Sequence, residues 1–429
     1  MSASPRITRD AQVKATLADP VSSSERFRLG VNYWPARTAM GWWSDFDRME
    51  VAADFARIAA SGLDSIRLFL TWADFQPAPD EVDRRMLDRL IAVADLAAGA
   101  DLALVPTLFT GHMSGVNWIP AWALGGTDRD DRFRVVSDGR VSGSALRNWY
   151  SDPLVARAQA LLATEAAGAL AGHRALWMWD LGNENSNCVI PPTRSSAREW
   201  LRRIASAIRS ADPKARVTVG LHMEDLENDR LLGPREASEV CDVLSMHGYP
   251  IYARWAEGPT DEQLLPFLAD VTRWLAGGRD VLFAEFGLPT YRRGDPVGEA
   301  VRLRSASSLV EEQAAAAFTE RALTALQRAG SVGAMLWCYT DYAPAIWEEP
   351  PLDLAVHERS FGLWRADGMP KPSVAVVEAF AGARRLAAPD EYPWIDLEPE
   401  EFLVEPNVAL PRLYARYRTS ERVGSGDRR

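Results

Sequence analysis

Val281-Leu282-Phe283-Ala284-Glu285-Phe286-Gly287 is an apolar run of strand type that carries a glutamate near its end. Trp179-Asp180-Leu181-Gly182-Asn183-Glu184, earlier in the chain, is built the same way. A carboxylate at the tip of a hydrophobic strand costs several kcal/mol to bury unless it is paired or put to use. Either glutamate alone reads equally well as a salt-bridged strand end. Two of them, on separate strands converging on one pocket, are the groups that glycosidic-bond hydrolysis needs.

Runs of the same kind recur outward from these two. They cover Arg28–Trp34, Ser65–Leu70, Leu102–Phe109, Ala175–Glu184, Val217–Leu221, Val243–Tyr249, Val281–Gly287 and Gly333–Tyr339. Between them, helical spacing marks Asp47–Ser61, Arg84–Ala98, Pro153–Ala171, Ala197–Ala211, Asp261–Leu275 and Glu311–Ala329. Strands that alternate with helices predict a parallel sheet, and eight is the count at which such a sheet closes into a (β/α)8 TIM barrel of the α/β class. An open doubly wound sheet is the alternative, but no G-x-G-x-x-G follows any early strand.

In such barrels the chemistry sits at the C-terminal strand ends and in the loops that follow. The third of these loops, 111–151, is long and carries Trp118, Trp122, Trp149 and Tyr150; the eighth, 341–362, carries Tyr342 and Trp347. Loops of that length in a compact domain are usually functional or disordered. Residues 1–25 read as an arm, 26–385 as the catalytic barrel and 386–429 as an extension. The extension contains an amphipathic piece, Leu410–Tyr417, expected to pack on the barrel or on a second copy of the chain.

Composition narrows the function classes. Against 48 basic residues stand 59 acidic ones, a net charge of −11, so neither nucleic acid nor an anionic membrane is an expected partner. Met1-Ser2-Ala3-Ser4-Pro5-Arg6 opens no apolar segment of signal-peptide length, and no later run is long enough to span a bilayer. The expectation is a cytoplasmic protein. Cys188, Cys241 and Cys338 are too few and too scattered for a disulfide framework. The 16 tryptophans suit sugar stacking, although core packing explains most tryptophans equally well.

The polar residues at the strand ends form an ordered set: Arg67, His112, Asn183, Glu184, His247, Tyr249, Glu285 and Trp337. Strand by strand, this set resembles the eight-residue signature of glycoside hydrolase family 5, in the clan of retaining (β/α)8 glycosidases. One departure is Asn185, where many relatives carry proline. Gly30-Val31-Asn32-Tyr33-Trp34-Pro35, Asp45-Phe46-Asp47 and Phe69-Leu70-Thr71-Trp72-Ala73-Asp74-Phe75-Gln76-Pro77 resemble subfamily 18, the intracellular actinobacterial β-mannosidases. The resemblance implies an exo-β-mannosidase that acts on short oligosaccharides such as Man-β-1,4-GlcNAc without a cofactor.

Each role follows from the chemistry. Glu285 is expected to be the nucleophile, ionised with help from the charge of Arg67 and a hydrogen bond from Tyr249. Glu184 is expected to be the acid/base, protonated at the outset through partial burial and the nearby charge of Glu285. Asn183 suits the sugar 2-hydroxyl, Trp337 the floor under the reacting ring, and His112 and His247 other hydroxyls or the acid/base. Trp118 and Trp122 are candidates for the leaving-sugar side, and His222, Glu224 and Asp225 for the pocket wall.

Three other readings are weighed against this one. A metal-dependent barrel hydrolase needs converging histidines and carboxylates, yet the chain has only five His and strand one offers Asn32. A non-catalytic carbohydrate-binding barrel would be expected to lose one of the two glutamates. An endo-mannanase or β-glucanase needs an open cleft, which the long third and eighth loops could wall off.

Overall fold

In the computed structural model, residues 26–127, 132–305 and 307–426 are described, so the expected N-terminal arm lies outside the described residues. Eight strands, β1 (Arg28–Asn32), β2 (Ser65–Phe69), β3 (Ala103–Thr107), β4 (Trp179–Asn183), β5 (Val217–His222), β6 (Leu244–His247), β7 (Val281–Phe286) and β8 (Gly333–Leu336), pair in sequence order into a closed barrel. Every pairing is parallel, and β1 closes against β8 through Val31 opposite Leu336. A parallel sheet covered by helices is buried on both faces, which is why these strands read as continuous apolar runs. Gly30 belongs to that closure: a Cβ there would meet Ser65 Oγ at 2.6 Å and Met335 Cγ at 2.9 Å.

The covering helices are α1 (Arg48–Ala60), α2 (Arg84–Gly99), α3 (Pro153–Ala169), α4 (Arg194–Ala211), α5 (Pro234–Ser238), α6 (Leu264–Leu275), α7 (Glu312–Arg328) and α8 (Pro372–Phe380). Asp47, Asp83 and Asp152 cap the first three by accepting from backbone N–H groups of the first turn. Thr193 and Ser196 form a capping box, so α4 begins three residues before the expected Ala197.

Helices α5 and α8 were not expected from the sequence, and two loop segments depart from it as well. The third loop holds a small sheet of four strands, His112–Met113, Val116–Trp118, Arg134–Ser137 and Arg140–Ser142. Strands of two to four residues are too short to show a period. After β7 the chain forms a further helix, Pro296–Arg304, that the apolar pattern did not announce.

The extension folds into helix α9 (Pro406–Gly426), longer than the amphipathic piece read from the sequence. Tyr414 and Tyr417 bring their rings to 4.9 and 5.5 Å from Phe267 on α6, and the Tyr414 hydroxyl donates to Asp261 at 2.6 Å. No helix among the described residues is long and apolar enough to cross a membrane.

Candidate active site

The C-terminal strand ends surround a cavity of about 370 Å³ lined by His112, Asn183, Glu184, His247, Tyr249, Glu285 and Trp337, among others. Arg67 stands behind it, 1% exposed. The structure therefore gathers all eight residues of the expected set.

Arg67 organises the floor. Its Nη1 donates to Glu285 and, at 3.1 Å, to Asn32 Oδ1. Its Nε and Nη2 donate to Asp180 Oδ2 at 2.9 and 2.6 Å, and Nη2 also reaches Asn183 Oδ1 at 2.6 Å. A buried guanidinium is tolerable because two carboxylates and two amides satisfy it. Asp180, the positioning carboxylate, was missed by the sequence reading although it stands in the quoted strand. The arrangement also requires Gly220 on β5, where a Cβ would come within 2.9 Å of the Gly182 carbonyl and 3.0 Å of Arg67 Nη2.

Glu184 follows β4 in the left-handed region, with φ 48° and ψ 47°. A non-glycine residue there stores strain of order 1–3 kcal/mol and persists only where its surroundings fix it. The fixing bonds are its own N–H to the Gly220 carbonyl at 3.0 Å and its carbonyl to Asn187 N–H at 2.9 Å. The Asn187 side chain donates to Glu184 Oε2 at 3.1 Å, and His247 Nδ1 lies 3.0 Å from Oε1. Oxygens of Glu184 and Glu285 lie within 4.8 Å of each other. The Tyr249 hydroxyl donates to Glu285 Oε2 at 2.8 Å.

These surroundings divide the two carboxylates. Burial, followed by the charge of Glu285, holds Glu184 well above the usual carboxylate range. Burial also raises Glu285, while Arg67 and the Tyr249 hydroxyl pull against it. The sequence reading expected Arg67 and Tyr249 to lower it, and both do, although burial sets the net direction. Arg67 bonds directly to Glu285 and reaches Glu184 only through its charge, so a proton shared by the pair is favoured on Glu184. Burial and the Arg67 charge hold His247 well below the usual imidazole range, so its ring is neutral. Burial likewise takes His112 down to about 3 and His222 down to about 4.

Other residues expected at the site divide. His222 and Glu224 line the cavity, with His222 Nδ1 3.9 Å from Glu184 Oε2. Asp225 stands behind, bonded to Ser186 Oγ at 2.6 Å and to the His222 N–H at 3.0 Å. Trp118 and Trp122 are not brought to the cavity. Their indoles donate to the Met113 and Gln76 carbonyls; Trp122 packs edge-on against Trp72 at 5.3 Å, and Trp118 lines a second cavity with Asp74 and Leu352. The wall also contains Phe133, Glu227, Tyr252, His357 and Glu358, which the sequence reading did not name as site residues.

No family model matches the chain. A rice protein described as a putative mannan endo-1,4-β-mannosidase is 24% identical over 340 residues, 68% of this chain and 62% of its own length. The exo-β-1,4-mannosidase of Opitutaceae bacterium strain TAV5 superposes with a TM-score of 0.68 at 28% identity, over 84% of this chain and 60% of that one. The chain thus spans about three fifths of each of these two relatives. A subfamily 18 protein of glycoside hydrolase family 5 from Streptomyces cattleya, solved with GlcNAc, has a TM-score of 0.74 at 24% identity and covers 93% of this chain and 92% of its own. A variant of that protein, solved with Manβ1-4GlcNAc, gives 0.73. In fold, the chain resembles solved glycosidases that include subfamily 18 of glycoside hydrolase family 5.

Proposed function

We propose that this chain is a retaining exo-β-mannosidase that releases terminal β-1,4-linked mannose from short oligosaccharides such as Man-β-1,4-GlcNAc. One observation carries the reading: Glu184 and Glu285 approach within 4.8 Å, and only Glu285 is held by a cation. That spacing suits attack by one carboxylate on the anomeric carbon rather than a water between two carboxylates, since inverting pairs stand roughly 6.5–9.5 Å apart. Glu285 forms the glycosyl-enzyme as Glu184 gives its proton to the departing oxygen. With Glu285 esterified, its charge is gone and Glu184 loses a reason to stay protonated. It then takes a proton from water, which attacks the anomeric carbon from the face the leaving group vacated. Asn183, fixed between Arg67 and the His112 carbonyl at 2.6 and 2.7 Å, meets the 2-hydroxyl. Trp337 forms the floor, and His247 orients Glu184.

Exo action is supported by two side-chain pairs that join the third and eighth loops. Arg134 forms a two-pronged pair with Asp353 at 2.8 and 2.6 Å, and Ser114 Oγ donates to Glu358 at 2.9 Å. The Opitutaceae relative's name and the disaccharide bound to the Streptomyces variant support mannose as the sugar. Residues 26–385 would form the catalytic unit, with 386–429 an extension on its flank, acting in the cytoplasm on imported oligosaccharides without a cofactor. Hydrolysis of a panel of aryl β-mannosides and β-glucosides, together with Man-β-1,4-GlcNAc, tests the reading. Preference for the mannosides and release of mannose from the disaccharide are expected, whereas a glucoside preference contradicts the substrate.

A further inference from the structure

One carboxylate on the cavity wall takes no part in the double displacement. Glu358 lies in a short helical turn, Val356–Ser360, in the eighth loop, is 6% exposed, and lines the same cavity as Glu184 and Glu285. Its Oε2 accepts from Ser114 Oγ at 2.9 Å and from the Trp337 indole at 3.3 Å. Its Oε1 has only the Tyr252 hydroxyl and His357 Nε2, each at 3.5 Å. Among the described residues no arginine or lysine pairs with it. A buried carboxylate can accept about four hydrogen bonds and is costly to keep without a counter-charge unless they are made. Glu358 therefore has acceptor capacity left over, and both neighbours of Oε1 also line the cavity.

Its position says which donor fits. The reacting carbon must lie between Glu184 and Glu285, and Asn183 serves the 2-hydroxyl beside it. Glu358 is fastened to the indole edge of Trp337, the floor of the ring, and to Ser114, two residues beyond His112. In a six-membered sugar ring, C4 stands across from C1. We infer that Glu358 accepts a hydrogen bond from the 4-hydroxyl of the terminal sugar and is the specificity-determining residue for a free non-reducing end. A β-1,4-extended unit has no proton at O4 and would have to pass through the loop that carries Glu358. This inference rests on the glycosidase reading above and adds to it the group that distinguishes a chain end from a chain interior.

The test pairs protein and substrate changes. The kcat/KM of wild type, Glu358→Gln and Glu358→Ala would be measured on an aryl β-mannoside and on its 4-deoxy and 4-O-methyl derivatives. A hydrogen bond to a charged acceptor implies that wild type loses about 10–100-fold when the 4-hydroxyl is removed. In Glu358→Ala the parent and 4-deoxy substrates should fall within about threefold of each other, with Glu358→Gln between. If Glu358→Ala keeps the wild-type ratio, or loses equally on every substrate, the inference is wrong. Thermal unfolding checks each variant, and the near-isosteric Glu358→Gln carries the comparison if the alanine variant does not fold. Failure of the substrate reading shows elsewhere, as a wild-type preference for β-glucosides. Those differ from mannosides at C2 and share the 4-hydroxyl, so the same series can be run on them.

Discussion

Glu184 stands within 4.8 Å of Glu285, yet only Glu285 receives Arg67 and the Tyr249 hydroxyl. Two buried carboxylates so close cannot both be ionised cheaply. Their unequal surroundings favour the proton on Glu184, which is the division that the proposed donor and nucleophile roles require.

That division makes leaving-group dependence the signature of Glu184. Replacing it with alanine should cost about 10²–10⁴-fold on Man-β-1,4-GlcNAc, whose leaving group must be protonated, and far less on activated aryl mannosides. Steady-state kinetics on both classes measure this. Equal losses would make Glu184 structural.

The pH profile follows from the same asymmetry. The proposed roles need Glu285 ionised and Glu184 protonated, so kcat/KM rises with pH as the pair loses its first proton and falls as it loses its second, both groups being raised by burial. Asp225, pushed up to about 6 by burial, adds negative charge near Glu184 once ionised. Asp225→Asn should therefore move the basic limb to lower pH and leave the acidic limb in place. A basic limb that stays put would remove Asp225 from the electrostatics of the site.

If the Arg134–Asp353 and Ser114–Glu358 contacts close one end of the groove, digestion of β-1,4-mannohexaose should release mannose first, with the five-unit product alongside. Chromatography of early time points decides this. An early burst of two- and three-unit fragments would indicate an open cleft.

Nothing in the proposed steps uses a metal. Exhaustive EDTA treatment should leave activity unchanged, and loss on chelation with recovery on added zinc or manganese would overturn the mechanism.

The barrel and the eight strand-end residues were legible because a buried parallel strand is an apolar run and a polar residue closing it must be paired or used. Strand limits were less so. Leu70, Leu108 and Phe109 are fully buried and still bond to a neighbouring strand, yet they lie past the regular ends of β2 and β3, so an apolar run does not mark where a strand stops. Trp118 and Trp122, both half-buried, stand apart from the cavity that holds the two glutamates; an indole packed in a loop and one facing a ligand look alike in sequence. Glu358 was invisible for the opposite reason: it sits in an acidic loop without periodicity, and its partner Ser114 is 244 residues away.

The central claim is a covalent intermediate on Glu285. Incubation with 2-deoxy-2-fluoro-β-mannosyl fluoride, followed by digestion and mass spectrometry, should place one fluoromannosyl group on Glu285, within the peptide containing Val281–Gly287. An adduct on another residue, or none together with first-formed mannose of α configuration, would contradict the account.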